Sequence, residues 1–369
     1  MRILILTPRV PWPPLDGGRI AMARLATSLG KFAEVELLSL NPKKHRVDDA
    51  NAIDIDTARL RFVPGTPMLV SRFVSQRFRS AIAEAMRRFQ PDVVQLESPF
   101  LLPYLPDVRS ARIVSLRSLN VEFRIWEGLA RNEKNPLRRL LLRHVASSLR
   151  KYEIGHLNSV DALVPISRDD ADDFRALGCT KPTHVAPCGV EVHASAPPQP
   201  NTVGFIGSLD FLPNQEAAQW ILDELWPRVI AQMPDARLSI AGSNAPAWLA
   251  PRVLGRVADA QAFMSSMSVM IAPLFAGGGM RIKVLEAMAL GKPVVATSLG
   301  KGGVDVDQLL VAEDADTFAD AVVRLLRDPA FAQRLGEAAR AEVAAKYDSD
   351  RIGNDVVRFY EELPTLEKH

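Results

Sequence analysis

Cysteine is scarce in this chain, with only Cys179 and Cys188 among 369 residues. Nine apart and without a His pattern, they build neither a disulfide framework nor a zinc site and read as reduced thiols. Long apolar runs are missing too; none approaches the ~18 residues that span a bilayer. The opening MRILILTP starts directly as a strand and lacks the charged-then-apolar pattern of an export signal. These absences predict a cytoplasmic protein. Net charge is only +2, and basic residues do not interleave with aromatics, which argues against nucleic acid as a partner. No His–carboxylate pair and no metal-spaced Asp-x-Asp occurs in the segments expected to line a site, so no metal or other cofactor is expected.

What is present is a soluble, globular composition, 47% hydrophobic and 24% charged, long enough for two domains. Charge is unevenly spread. Residues 1–190 hold 29 Lys and Arg against 20 Asp and Glu, and the remainder 16 against 23. A basic half joined to an acidic half suggests two domains with different partners.

The most informative stretch is GGGMRIKVLEAMALGKPVVAT, Gly277 to Thr297. Gly277, Gly278 and Gly279 run through Met280 into a short amphipathic helix carrying Arg281, Lys283, Leu285 and Glu286. Glycines before a helix expose backbone N–H groups, and a helix start carries roughly half a positive charge, which suits an anion. Arg281 and Lys283 add two full charges, enough for a diphosphate without a metal. Glu286, an acceptor one to two turns on, suits a pair of sugar hydroxyls. Phosphate at one end and ribose at the other outline a nucleotide-sugar.

The rest alternates short apolar strands with helices. Strands are expected at Arg2–Leu6, Glu34–Ser39, Val93–Leu96, Ile113–Leu116 and Ala162–Pro165, with helices at Gly18–Leu29 and Arg79–Phe89. After the Pro-rich linker Ala196–Asn201 the pattern restarts. It places strands at Thr202–Ile206, Arg237–Ile240, Val269–Ala272, Pro293–Ala296 and Leu309–Val311, and helices at Gln215–Met233, Thr317–Leu326 and Ala330–Ala345. Alternation of this kind predicts an α/β protein of two doubly wound, Rossmann-like domains, 1–195 and 201–346, facing across a cleft at the strands' C-terminal ends. The tail 347–369 keeps helical spacing and is expected to cross back onto the first domain.

Several residues fall at that edge. Gly17 and Gly18 follow the first strand and let a ligand approach, although a tight turn explains Gly17 equally well. Glu97 ends a strand, either orienting an acceptor or acting as base, or pairing with an arginine. Asn214 is expected to cap the helix from Gln215. Ser243 and Asn244 follow a strand and are placed to touch a donor. The basic stretch Arg131–Lys151 either lies on an anionic bilayer or docks on its own domain.

PWPPLDGGR, LRSLNVEFRIWEGLARNEKNP, GFIGSLDFLPN and PLFAGGGMRIKVLEAMALGKPVVAT together resemble a family 4 glycosyltransferase of the GT-B fold, and the likeness covers nearly the whole chain. It implies transfer of a sugar from a nucleotide donor, with retention and without a bound metal. It also implies a glycan or lipid-linked acceptor and work in polysaccharide or glycolipid synthesis. Glu286 matches the second Glu of the family's paired motif, while the first falls on Gly278. The family's basic pair after the first strand of the second domain is replaced by Gly207-Ser208-Leu209-Asp210-Phe211, leaving Arg281 and Lys283 to meet the diphosphate. Val257 is similar to positions whose backbone meets the base. Leu119 stands where relatives carry a His, leaving Arg117, Asn120 and Glu122 as polar candidates on that loop. Arg281, Lys283, Glu97 and Asn120 are thus the catalytic candidates. The rival readings are a nucleotide-sugar 2-epimerase of the same architecture and a donor-binding relic.

Overall fold

A computed structural model describes the chain except residues 15, 44–45, 50–51, 59–61, 193–196, 277–278 and 365–369. Two compact units result: Met1–Gly189 together with the C-terminal segment from Ser349, and Val190–Asp348.

The first unit is built on six parallel strands: β1 (Arg2–Thr7), β2 (Glu34–Pro42), β3 (Ile53–Ile55), β4 (Val93–Leu96), β5 (Ile113–Ser118) and β6 (Ala162–Pro165), in the order β3-β2-β1-β4-β5-β6. Successive residues of β1 enter opposite cores. Leu4 and Leu6 join one cluster with Val94 and Leu116, and Ile3 and Ile5 another with Leu25 and Val356. A strand buried on both faces must read as a continuous apolar run, which is why MRILIL is legible. The edge strand β3 is not anticipated by the sequence reading. Its three residues pair only with Leu40–Pro42, and Asp54 within it breaks the apolar signal.

Helix α1 (Gly17–Leu29) follows β1, and α2 (Gln76–Phe89) precedes β4 with Ser75 Oγ accepting from Phe78 N–H at 3.4 Å. The basic stretch 131–151 spans the end of α3 (Glu122–Asn132) and most of α4 (Pro136–His156), which carries Arg138, Arg139, Arg143 and Arg150. Pro136 at the first position and Asn135 as cap force the break. Helix α5 (Arg168–Ala176) follows β6.

The second unit has five parallel strands, β7 (Thr202–Ile206), β8 (Arg237–Ala241), β9 (Val269–Ala272), β10 (Val294–Ala296) and β11 (Leu310–Val311), ordered β11-β10-β9-β7-β8. The helix expected over 215–233 starts earlier and is broken: α6 (Leu212–Trp220), a π turn at Ile221–Leu225 and α7 (Trp226–Gln232). Pro227 lies within α7's first turn and has no N–H to continue an α ladder. Helices α8 (Ala260–Ser266), α9 (Ile282–Ala289), α10 (Ala315–Arg327) and α11 (Pro329–Lys346) also belong to it, with a four-residue helical turn at Ser298–Lys301.

The chain enters the second unit before the Pro-rich segment, because Val190 N–H bonds Tyr347 O at 2.8 Å. It returns to the first unit as α12 (Ser349–Glu362). There Ser28 Oγ donates to Ser349 O, Lys31 pairs with Asp350 at 2.6 Å, and Arg112 donates to Tyr360 O at 2.9 Å. No described helix is long and apolar enough to cross a membrane.

Candidate active site

In an open parallel sheet, ligands bind beyond the strands' C-terminal ends where the strand order reverses. In the second unit this point lies between β7 and β9, since β8 leaves one side and β10 the other. The loops after β7 and β8 are tied together there. Gly207 N–H bonds Ala241 O at 3.1 Å, Leu209 N–H bonds Ser243 O at 2.8 Å, and Gly242 N–H bonds Gly255 O at 2.8 Å. A Cβ on Gly242 would overlap Gly207 O, so only glycine permits this approach. Ser208 Oγ donates to Asp210 at 2.7 Å and lies 3.4 Å from Ser243 Oγ. Gly207, Ser208, Ser243 and Asn244 therefore share one edge, and half-buried Val257 packs against the core cluster that holds Ala241 at the end of β8. Asn214 is no cap. The helix begins three residues before Gln215, Asn214 lies inside α6, and its Nδ2 donates to Ser208 O at 2.8 Å, bracing the loop.

The loop after β9 carries the cations. Gly277 and Gly278 lie outside the described residues. Gly279 has φ +72°, the left-handed region that favours glycine, and Met280 bridges Gly302. Arg281 stands at the cap position of α9, half-buried, donating to Leu299 O at 3.3 Å and Ala276 O at 3.4 Å. Burial lowers its pKa to about 10, which leaves it charged at neutral pH. Lys283 Nζ lies 2.9 Å from Glu286 Oε2, the lysine side chain 37% exposed and the glutamate 7%. The two groups expected to serve phosphate and ribose separately are thus paired with each other. Leu285, expected at the donor, is fully buried with its N–H bonded to Arg281 O, and it belongs to the core.

In the first unit the reversal lies between β1 and β4. Gly17 and Gly18 open α1 there, capped by Asp16, which accepts from Arg19 N–H at 3.1 Å and pairs with Arg9 at 2.8 Å. The Arg9 guanidinium lies over Gly18, where a Cβ would collide with it. Of the alternatives open to Glu97, the structure shows the pairing with an arginine and not the acceptor-facing or base role. Its side chain is 1% exposed and held at 2.8 Å by Arg117, itself wholly buried at the end of β5. A carboxylate so enclosed offers no face to an acceptor, and truncating either partner would cost ~3–5 kcal/mol. Arg117 is accordingly a strand residue and not a loop group. Asn120 is half-buried, its carbonyl accepting from Ser118 Oγ at 2.6 Å.

A carboxylate pair escaped the sequence reading. Glu153 on α4 is buried and accepts the first N–H groups of α3, Glu122 at 3.1 Å and Phe123 at 2.8 Å. Desolvation and the Glu153 charge push Glu122 up to about 8, and desolvation pushes Glu153 up to about 7. A signal existed: Glu153 follows buried Ala146 and Leu149 by seven and four residues, the spacing of a core position.

Comparison with known proteins agrees with this geometry. Residues 15–194 match the Glycosyltransferase Family 4 domain and residues 200–328 the Glycosyl transferases group 1 domain. An uncharacterized 44.6 kDa protein in the cps region of Klebsiella pneumoniae is 23% identical over 97% of this chain and 99% of its own. The phosphatidyl-myo-inositol mannosyltransferase of Mycobacterium leprae is 34% identical over 44% of this chain and 47% of its own, so the match spans about half of that enzyme. Among solved structures, sucrose-phosphate synthase from Thermosynechococcus elongatus superposes with TM-score 0.73, 17% identity, and 98% and 99% coverage. Anabaena HepE in complex with UDP-glucose gives 0.67, 14%, and 98% and 100%. Two parallel α/β sheets with loops gathered at their C-terminal edges define a GT-B fold. The chain belongs to glycosyltransferase family 4.

Proposed function

We propose that the protein moves a sugar, with retention of configuration, from a nucleoside-diphosphate sugar to a lipid-linked or glycan acceptor in glycolipid or polysaccharide synthesis. The observation that carries the reading is the grouping of Arg281, Lys283 and Glu286 at the strand-order reversal of the second sheet. Breaking the sugar–phosphate bond builds negative charge on the departing diphosphate. Cations already in place stabilise that charge more in the transition state than in the bound donor. Lys283, released from Glu286 by an incoming phosphate, would leave the carboxylate to accept ribose hydroxyls. With the leaving group so stabilised, the acceptor hydroxyl attacks on the face the diphosphate leaves, and a phosphate oxygen takes its proton. The UDP-glucose in the HepE complex supports a UDP donor, a GDP-mannose-dependent mannosyltransferase relative from Corynebacterium glutamicum a GDP donor, and the phosphatidyl-myo-inositol mannosyltransferase a phospholipid-type acceptor.

Thermal-shift titration with UDP, GDP and their glucose and mannose conjugates, followed by incubation with radiolabelled donor and lipid extract, tests this. Donor binding with slow hydrolysis or transfer is expected. Isomerised donor would make it an epimerase, and binding without chemistry a relic.

The lipid acceptor is supported by α4, where Leu137, Leu140 and Leu141 are 78%, 67% and 62% exposed beside exposed Arg138 and Arg143. Apolar side chains between cations suit an anionic bilayer surface. Co-sedimentation with phosphatidylglycerol vesicles should exceed that with phosphatidylcholine at least five-fold, and a Leu140→Asp/Leu141→Asp variant should lose the difference. Equal binding to both vesicles would remove the membrane role.

A further inference from the structure

A polar chain crosses the interior of the first unit. Gln95, Ser115, Arg117 and Tyr360 are 0% exposed and Glu97 2%. The Tyr360 hydroxyl, reaching in from α12, donates to Gln95 Oε1 at 2.6 Å and lies 2.8 Å from Ser115 Oγ. With the phenol proton committed to Gln95, Ser115 is the donor of the second bond. Gln95 Nε2 in turn donates to Glu97 Oε1, and Arg117 Nη1 donates to Glu97 Oε2 at 2.8 Å. The phenol therefore fixes which way the Gln95 amide points. A flipped amide would set its oxygen against a buried carboxylate, an uncompensated contact in a low-dielectric place.

A strand, a helix and a turn meet at the ion pair so oriented. Glu97 N–H bonds Leu6 O at the end of β1, at 2.9 Å. Arg117 Nη1 reaches Ala21 O of α1 at 3.4 Å. Its neighbour Ser118 shapes the Asn120 turn at 2.6 Å. Arg117 Nε and Nη2 have no hydrogen-bond partner among the described residues, so Glu97 is the charge that holds this guanidinium.

We propose that Tyr360 is a positioning residue for sugar transfer: through Gln95 it sets the Glu97–Arg117 ion pair, and with it the loops after β4 and β5 that would receive the acceptor. The acceptor role of these loops rests on the functional reading above.

The test is hydrogen–deuterium exchange on the full chain, with Tyr360→Phe removing one oxygen and keeping the ring. Amides of residues 97–98 and 118–123 should exchange at least ten-fold faster. Donor hydrolysis should fall at least five-fold, with UDP and GDP affinity unchanged within two-fold. Gln95→Met, which deletes the middle link while α12 stays docked, should reproduce this pattern. Ile352→Val loosens the same helix without touching the chain and should lower Tm with no local rise in exchange. Ser115→Ala keeps the Tyr360–Gln95 bond and should stay within two-fold of wild type. A Tyr360→Phe pattern matching Ile352→Val, or a Gln95→Met pattern matching wild type, overturns the proposal. Absence of UDP and GDP binding in the wild type would instead overturn the functional reading, and leave the exchange result to judge the brace alone.

Discussion

Arg281→Ala is expected to lower donor turnover by a factor of about 10²–10³, the ~2.7–4 kcal/mol that one preorganised donor contributes to a transition state. The folded state should hardly notice, because the guanidinium is half-buried at a helix cap and donates to the backbone of short peripheral segments, Leu299 O in the four-residue helix Ser298–Lys301 and Ala276 O in a loop. Arg281→Lys should recover little. An ammonium lacks the planar fork that can bond those carbonyls and a phosphate together. The room for that fork is built in, since a Cβ on Gly302 would stand 2.6 Å from Arg281 Cγ. Steady-state hydrolysis of the donor found by titration, beside a melting curve, is the measurement. Activity within three-fold of wild type would remove Arg281 from the reaction.

The second large effect is on pH. The carboxyls of Glu122 and Glu153 are raised from 4.5 to about 8 and about 7 by burial. Between 4.5 and those values the folded chain holds protons that the unfolded chain has released. Stability from this pair is therefore complete below pH 4.5 and is lost as pH rises, with nothing further to lose above about 8. The neighbours temper the loss without reversing it: Arg9 favours ionised Glu122, and two backbone N–H groups favour ionised Glu153. Melting of the first unit should drop by at least about 4 °C between pH 6 and 8.5, taking about 2–4 °C per kcal/mol for a unit of this size. Glu122→Gln should flatten most of that slope. An unchanged slope in the variant would mean the two carboxyls do not share their protons.

The central strands were legible because burial on both faces demands continuous apolar runs, as in β1, β4 and β9. Beta3 was not, since an edge strand tolerates Asp54 and leaves a weaker pattern. The cations at 281 and 283 were legible from spacing alone, yet the Lys283–Glu286 bond needed three dimensions to be seen. Glu97 shows the harder case. A glutamate at a strand end reads as site-facing, and its partner Arg117 sits 20 residues away on the adjacent strand. Nothing in a linear sequence says which way either side chain turns. The Glu122–Glu153 pair joins two helices across 31 residues, and only the core spacing of Glu153 hinted at it.

The return of α12 has a consequence for biosynthesis. Ile352, Val356 and Tyr360 pack against Ile3, Ile5 and Leu29. The unit that leaves the ribosome first is thus the one finished last. Its opening strand and helix wait, with an apolar flank uncovered, through the making of the whole second unit, whose strands and helices are all synthesised by Lys346. A nascent chain stalled before Tyr360 would carry one completed half and one unclosed half, the state in which chaperone capture or aggregation finds its opportunity.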